Sequence, residues 1–421
     1  MRNLLAVAIV FSGFNSFGQI EEVRRITKQL CSPEFHGRGY YKKGDSLAAD
    51  YIVKEFQKLN IEGYNREFLQ HFDIKSVNSF PGVMNVKQEG VVLKTGVHYV
   101  LDPSSNGGQT ILNPKQIDVT ILLDKDKLTD AINTVADPNN KFNAMAIHLE
   151  GLSADTLKKL AGISKALVRF FPIIEVTDAK FTWSVGSEQF PFPLIQIQDS
   201  IYDNGSLTID IDAELLRNYH TQNVMAYLPA KKKCAKTVVF TAHYDHLGRM
   251  GDDTYFPGAN DNASGTAMLL TMAKYFKENP SDYNILFIAF AGEEAGLLGS
   301  KYFVENPVLK LKKIKFLVNL DIMGSGEDGV TVVNATLFEK EFALLQQINT
   351  EKSLLKVVEK RGPAANSDHY WFTLQGVPAF FVYTMGPNKN YHDVFDIYGN
   401  LSFKEYEDIT TLLIEFVKEL K

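Results

Sequence analysis

The chain has 421 residues, with 44 Lys and Arg against 50 Asp and Glu for a net charge of −6, 45% hydrophobic and 12% aromatic residues, and two cysteines. That apolar share is too high for a disordered chain, Gly and Pro are too sparse for a fibrous one, and the mild acidity argues against a nucleic-acid binder. At about 100–200 residues per domain the length allows one to three domains with a full core and no need of disulfide staples.

The first residues read as an address. Met1-Arg2-Asn3 gives a short positive start, Leu4–Phe11 is an unbroken apolar run, and the small and polar stretch 12–18 suits cleavage near Gly18. The run is shorter than the ~20 residues that span a bilayer. Residues 1–18 are therefore expected to be a removable export signal, which implies a periplasmic or extracellular protein without a stable membrane anchor. Cys31 and Cys234 are compatible with a disulfide or with two free thiols.

Helical spacing of Leu47, Ala48, Tyr51, Ile52, Phe56 and Leu59 predicts a helix over 45–60. From about Phe68 to Leu215 short β-type runs, at 91–93, 97–101, 119–123, 144–148 and 194–198, are broken by Asp-Pro, Asn-Gly and Gly-Gly turns. They predict a small β-rich domain inserted in a larger one. After Thr221, apolar strands at 237–242, 285–290, 314–320 and 377–383 alternate with helices at 265–278, 339–349 and 404–421. The fold class expected is α/β, a mostly parallel mixed sheet flanked by helices.

Three of these strands run into metal-type ligands. TVVFTAHYDHLG carries His243 and Asp245, NILFIAFAGEE ends in Glu293 and Glu294, and IKFLVNLDIMG carries Asp321. A fourth, PAFFVYTMG, leads through a short loop to Tyr391 and His392, and GANDNASGTAMLL places Asp261 before a helix. Carboxyl ends of parallel strands line one crevice, so these groups can converge. His243, Asp261, Glu294, Asp321 and His392 offer nitrogen and oxygen donors and no thiolate, which suits Zn²⁺, with Co²⁺ or Mn²⁺ as substitutes. Five ligands exceed one open catalytic zinc and fit two ions if a carboxylate bridges them. Glu293 and Glu294 are adjacent and point apart on extended backbone, so one can bind metal while the other carries protons; spacing leaves open which does which.

HYDHLG, GANDNASG, AGEEAGLLGS, VNLDIMG and YHDVFD, in that order, resemble the zinc aminopeptidases of metallopeptidase family 28, and SPEFHGRGY is similar to that family's opening segment. The resemblance implies a zinc-exopeptidase-like fold and two Zn²⁺. His243 and Asp321 would hold one ion, Glu294 and His392 the other, Asp261 would bridge them, and Glu293 would be the general base. Tyr391 matches a tyrosine that hydrogen-bonds the oxyanion in some members, and Asp245 a carboxylate that orients a ligand imidazole. The implied substrates are peptides with a free N-terminus.

The insert is similar to a protease-associated domain, placed at 105–215, which assigns 19–104 and 216–421 to a discontinuous catalytic domain. His246 is read as a neighbour making a local hydrogen bond rather than a sixth ligand. Ser367, Asp368 and His369 resemble a family segment near the cleft, with helix capping as the other reading. Asp396 is either a support for the site or part of a surface turn. The competing functions are a one-zinc glutaminyl cyclase, a carboxypeptidase or dipeptidase with the same metals, and a binding protein that has lost its metals.

Overall fold

The computed structural model describes residues 16–421 except Cys234, and side chains from Ile20 onward. The expected export signal lies almost wholly outside the described residues. No helix among them is long and apolar enough to cross a membrane. Cys31 is a buried free thiol, and Cys234 falls outside the described residues.

Eight strands form the main sheet: β1 Leu69–Ser79, β2 Glu214–Leu228, β3 Thr237–His243, β4 Asn284–Phe290, β5 Ile314–Leu320, β6 Gly329–Val333, β7 Val358–Lys360 and β8 Ala379–Met385. Their spatial order is β1-β2-β4-β3-β5-β8-β6-β7. The central four, β4-β3-β5-β8, are parallel, while β2 and β6 join them antiparallel. Every residue of β3 is buried, which explains its continuous apolar run. Val238, Phe240, Phe287 and Ala289 pack on one face with α1 Ser16–Leu30, α2 Gly44–Lys58, α3 Gly265–Glu278, α4 Glu339–Lys352 and α5 Tyr406–Glu419. Val239, Leu286, Ile288 and Phe290 pack on the other against the short helices Leu298–Glu305 and His369–Leu374. Each fully buried Phe in this sandwich contributes about 1.5–3 kcal/mol.

α2 is tied to β2 by a buried carboxylate. Asp45 accepts hydrogen bonds from Tyr219 Oη at 2.5 Å and Thr221 Oγ1 at 2.7 Å. Burial still raises its carboxyl to about 6. A folded value above the unfolded one means that the folded chain holds the proton more tightly. The group's stabilising contribution is therefore full below about pH 4 and is lost as pH rises through about 6, a change of about 3 kcal/mol. Asp45→Asn removes the titration. In urea unfolding, the stability of wild type minus variant is expected to fall by about 3 kcal/mol between about pH 3.5 and 7. A difference that does not change with pH would refute this assignment.

The insert departs from expectation in two respects. Its small sheets draw on residues from Met84 to Ile211: an antiparallel sheet of Val91–Val92, Met84–Gln88, Leu207–Ile211 and Gly108–Leu112, and a five-stranded sheet of Tyr99–Leu101, Leu194–Gln198, Ile173–Thr177, Ala144–His148 and Pro114–Ile117. The strands between 84 and 101 thus pair with the insert rather than with the main sheet, about twenty residues before the expected limit at 105. The insert is also less β-rich than its turns suggested. It carries helices Lys125–Ala136 and Ala154–Leu167, capped by Asp124 and Ser153. The run at 119–123, expected as a strand, is a helical turn over Val119–Leu122 because Asp118 accepts from Thr120 N and starts it. There the local cap overrides the β propensity of Val, Thr and Ile.

Candidate metal centre

All the ligand-type residues collect at the carboxyl edge of the four parallel strands. His243 is the last residue of β3, Asp321 follows β5 directly, and Glu293 and Glu294 lie just beyond β4. His392 reaches in from the loop after β8, and Asp261 from the turn Ala259–Ser264 that leads into α3. Asp261 faces both imidazoles. Its Oδ1 is 3.1 Å from His243 Nε2 and its Oδ2 is 3.0 Å from His392 Nε2. Asp321 Oδ1 stands 3.4 Å from His243 Nε2, and Glu294 Oε2 stands 3.2 Å from His392 Nε2. Two donors on one tetrahedral zinc, each about 2.0–2.2 Å from it, lie roughly 3.3–3.6 Å apart. The observed spacings sit at or just inside that edge. Asp321 Oδ1 is buried and accepts no hydrogen bond, as suits a donor for a cation.

The imidazoles are oriented from behind. His243 Nδ1 is 3.2 Å from the carbonyl of Asp245, and His392 Nδ1 donates to the carbonyl of Trp183 at 2.8 Å. Each contact fixes the tautomer that leaves Nε2 free for a cation. The Trp183 contact comes from the insert, whose Trp183 N–H also donates to the His392 carbonyl at 2.9 Å. The Asp245 side chain, expected to orient His243, is 3.7 Å from Nδ1. It serves mainly as acceptor for the backbone N–H groups of Glu293 and Glu294 and for Tyr40 Oη. His246 is 2.7 Å from Glu294 Oε1, which turns Oε2 toward His392.

Asp396 is buried rather than in a surface turn. It accepts from the N–H groups of Asn260 and Asp261 and so fixes the turn that presents the Asp261 carboxylate. Arg38 lies beneath the same turn, fully buried. It donates to the carbonyls of Leu30, Tyr244, Pro257 and Gly258 at 2.7–2.9 Å. Gly37 makes this possible: at φ 65° its absent Cβ would fall 2.2 Å from the carbonyl oxygen of Gly248. Arg38 was missed in the sequence; its flanking glycines, Gly37 and Gly39, were the available signal.

Ser367 and Asp368 do not cap the helix through their side chains. Ser367 Oγ donates to Asp321 Oδ2 at 3.1 Å and accepts from Asn319 Nδ2 at 2.7 Å, and Asn319 Oδ1 accepts from Thr241 Oγ1 at 2.6 Å. This buried chain aims Asp321. Ser367→Ala is expected to weaken zinc retention by about 10- to 100-fold, measured by chelator competition. Unchanged affinity would show that the chain has no hold on the ligand.

The electrostatics are those of a site built for cations. Burial opposes protonation of His392, but Glu294 and Asp261 push its imidazole up to about 11. His243, also desolvated, is held well above its usual range by Asp321 and Glu293. Burial raises Glu293 well above the ordinary carboxylate range and lifts Asp368 and Asp396 to about 7. Six acids, Asp245, Asp261, Glu293, Glu294, Asp321 and Asp368, crowd these two imidazoles, and added positive charge would relieve their repulsion. Tyr391 is 45% exposed, stacks on His392 at 3.9 Å between ring centroids, and lines the cleft with His243, Asp261, Glu293, Asp321 and His392. The cleft encloses about 220 Å³.

Residues 223–417 match the family described as Peptidase family M28. "Aminopeptidase YwaD" of Bacillus subtilis is 31% identical over 206 residues, 44% of this chain and 44% of that protein, so the match spans less than half of the relative. A "Probable leucine aminopeptidase" of Trichophyton verrucosum is 25% identical over 277 residues, 62% of this chain and 72% of its own length. The fold is that of a zinc aminopeptidase structure from Bacillus subtilis, with a TM-score of 0.67 at 20% identity over 95% of this chain and 96% of that one. The match to peptidase family M28 thus falls on the strands and turns that carry every ligand-type residue.

Proposed function

We propose that this chain is an exported two-zinc aminopeptidase that releases the N-terminal residue of peptides. The observation that carries this reading is the Asp261 carboxylate, each oxygen of which faces a different imidazole that has its own second carboxylate. His243, Asp321 and Asp261 Oδ1 would hold one ion, and His392, Glu294 and Asp261 Oδ2 the other. Bound there, zinc would polarise the scissile carbonyl and acidify the attacking water. Glu293 lines the cleft without belonging to either ligand set, which supports its role as the base. Its carboxylate takes a proton from that water and returns it to the departing amine. Tyr391 lines the cleft, which supports a role for its hydroxyl as donor to the developing oxyanion.

The acidic lining also suits the cationic α-amine of a peptide. The insert is read as a protease-associated-like module, and its Trp183 contact with His392 supports a place beside the site. Export rests on the apolar run Leu4–Phe11.

Metal analysis and a peptidase screen test the whole. The expected outcome is two zinc ions per chain and hydrolysis of aminoacyl p-nitroanilides but not of their N-acetylated forms. One zinc with cyclisation of N-terminal Gln would replace this reading by a glutaminyl cyclase. Release from the C-terminus would replace it by a carboxypeptidase, and failure to retain any zinc by a binding protein.

A further inference from the structure

We propose that the cleft selects peptides whose N-terminal residue is acidic, Glu or Asp, and that Arg361 is the residue that reads the side-chain carboxylate. This substrate class rests on the aminopeptidase reading above. Beyond Tyr391 and the acids and imidazoles of the metal centre, the cavity is lined by Ile322, Phe381, Tyr383, Asn366 and Arg361. At about 220 Å³ it is smaller than the roughly 300–1,000 Å³ of ordinary small-molecule pockets, a size suited to one residue. Arg361 brings to this lining its one guanidinium, and no lysine joins it.

That guanidinium is held ready rather than used up. The backbone N–H of Arg361 donates to Val332 O at 3.0 Å, which extends the pairing of β7 with β6 by one residue. Its Nη1 donates to Tyr383 Oη at 2.9 Å, and the group lies 5.8 Å from the Tyr383 ring centre. Tyr383 is itself rooted in β8, opposite Thr331 of β6. The neighbouring Lys356 and Lys360 are paired with Asp328 and Glu339, whereas among the described residues no carboxylate lies within 4 Å of Arg361. An arginine hydrogen-bonded to a tyrosine hydroxyl and anchored through its backbone to a sheet has lost part of its freedom before binding, so its remaining N–H donors can take a carboxylate at reduced entropic cost. The cleft is then polarised. Carboxylates and imidazoles at the metal centre suit the α-ammonium and the reacting carbonyl, and Arg361 supplies the opposite sign for the side chain. Apolar side chains would touch Phe381 and Ile322 and leave the guanidinium to water.

The test is a comparison of kcat/KM for Glu-, Asp-, Leu- and Lys-p-nitroanilide with the zinc-loaded full chain and its Arg361→Met and Arg361→Lys variants. Wild type is expected to favour Glu over Leu. Arg361→Met is expected to lower the Glu-to-Leu ratio by about 10- to 100-fold, and Arg361→Lys, which keeps the charge but not the fork, by less. The ratio cancels any general loss of activity in the variants. Hydrolysis of Leu-p-nitroanilide with no Glu preference, or a ratio untouched by Arg361→Met, overturns this proposal and leaves the aminopeptidase reading standing. Loss confined to discrimination between dipeptides with free and amidated C-termini also overturns it, because Arg361 would then read the terminal carboxylate. No hydrolysis of any substrate by the zinc-loaded chain overturns the aminopeptidase reading and this proposal together.

Discussion

Glu293→Gln is expected to keep the wild-type zinc content and to lose turnover by about 10²–10⁴-fold, the range that a positioned proton carrier contributes. Glutamine keeps the shape and the hydrogen-bonding oxygen but can neither accept nor return the proton. The structure explains why the loss should be confined to chemistry. The Glu293 backbone is held by Asp245, so its replacement leaves the turn in place, and the imidazole-carboxylate contacts of the two proposed ion sites involve Glu294, Asp261 and Asp321 instead. Glu294→Gln should behave in the opposite way, shedding metal because Oε2 faces His392. Metal analysis beside steady-state kinetics separates the two. Near-normal turnover in Glu293→Gln would remove this residue from the mechanism, and joint loss of zinc and turnover would make it a ligand.

Asp261→Asn is expected to have the widest effect of any single substitution. One carboxylate oxygen faces each imidazole, so the amide removes a charged partner from both proposed ion sites at once and places an NH₂ against one of them. A charged contact is worth about 1.5–3 kcal/mol, so two together correspond to a loss of zinc affinity of roughly 10³-fold, with activity falling in step. Thermal unfolding gives an independent reading. Zinc should raise the melting temperature of the wild type, because an ion that binds only the folded chain stabilises it, and this shift should nearly vanish in the variant. Loss of only one zinc with an unchanged shift would show that the two sites do not share Asp261.

Much of the α/β half that carries the candidate site was legible in residue order. Strands buried on both faces read as continuous apolar runs, so 314–320 and the helix 265–278 have the limits that their pattern predicts. Ligand-type residues at strand ends were legible for a related reason: a parallel sheet carries such groups to one edge whatever the distance between them in sequence. The insert was harder, because its capped helices and β-branched turn at 119–122 depend on local side-chain hydrogen bonds that hydropathy does not see.

The inventory of the candidate metal centre is thus a property of the sequence, since residue type and strand-end position decide which side chains can meet. Their orientation is a tertiary matter. Which oxygen of Asp261 faces which imidazole, the Trp183 carbonyl behind His392, the Ser367 chain behind Asp321 and the burial of Arg38 all join segments tens to hundreds of residues apart. Such contacts are short-ranged and directional, so hydropathy and periodicity do not encode them. They exist only once the packed sheet has brought the partners within about 3 Å of one another.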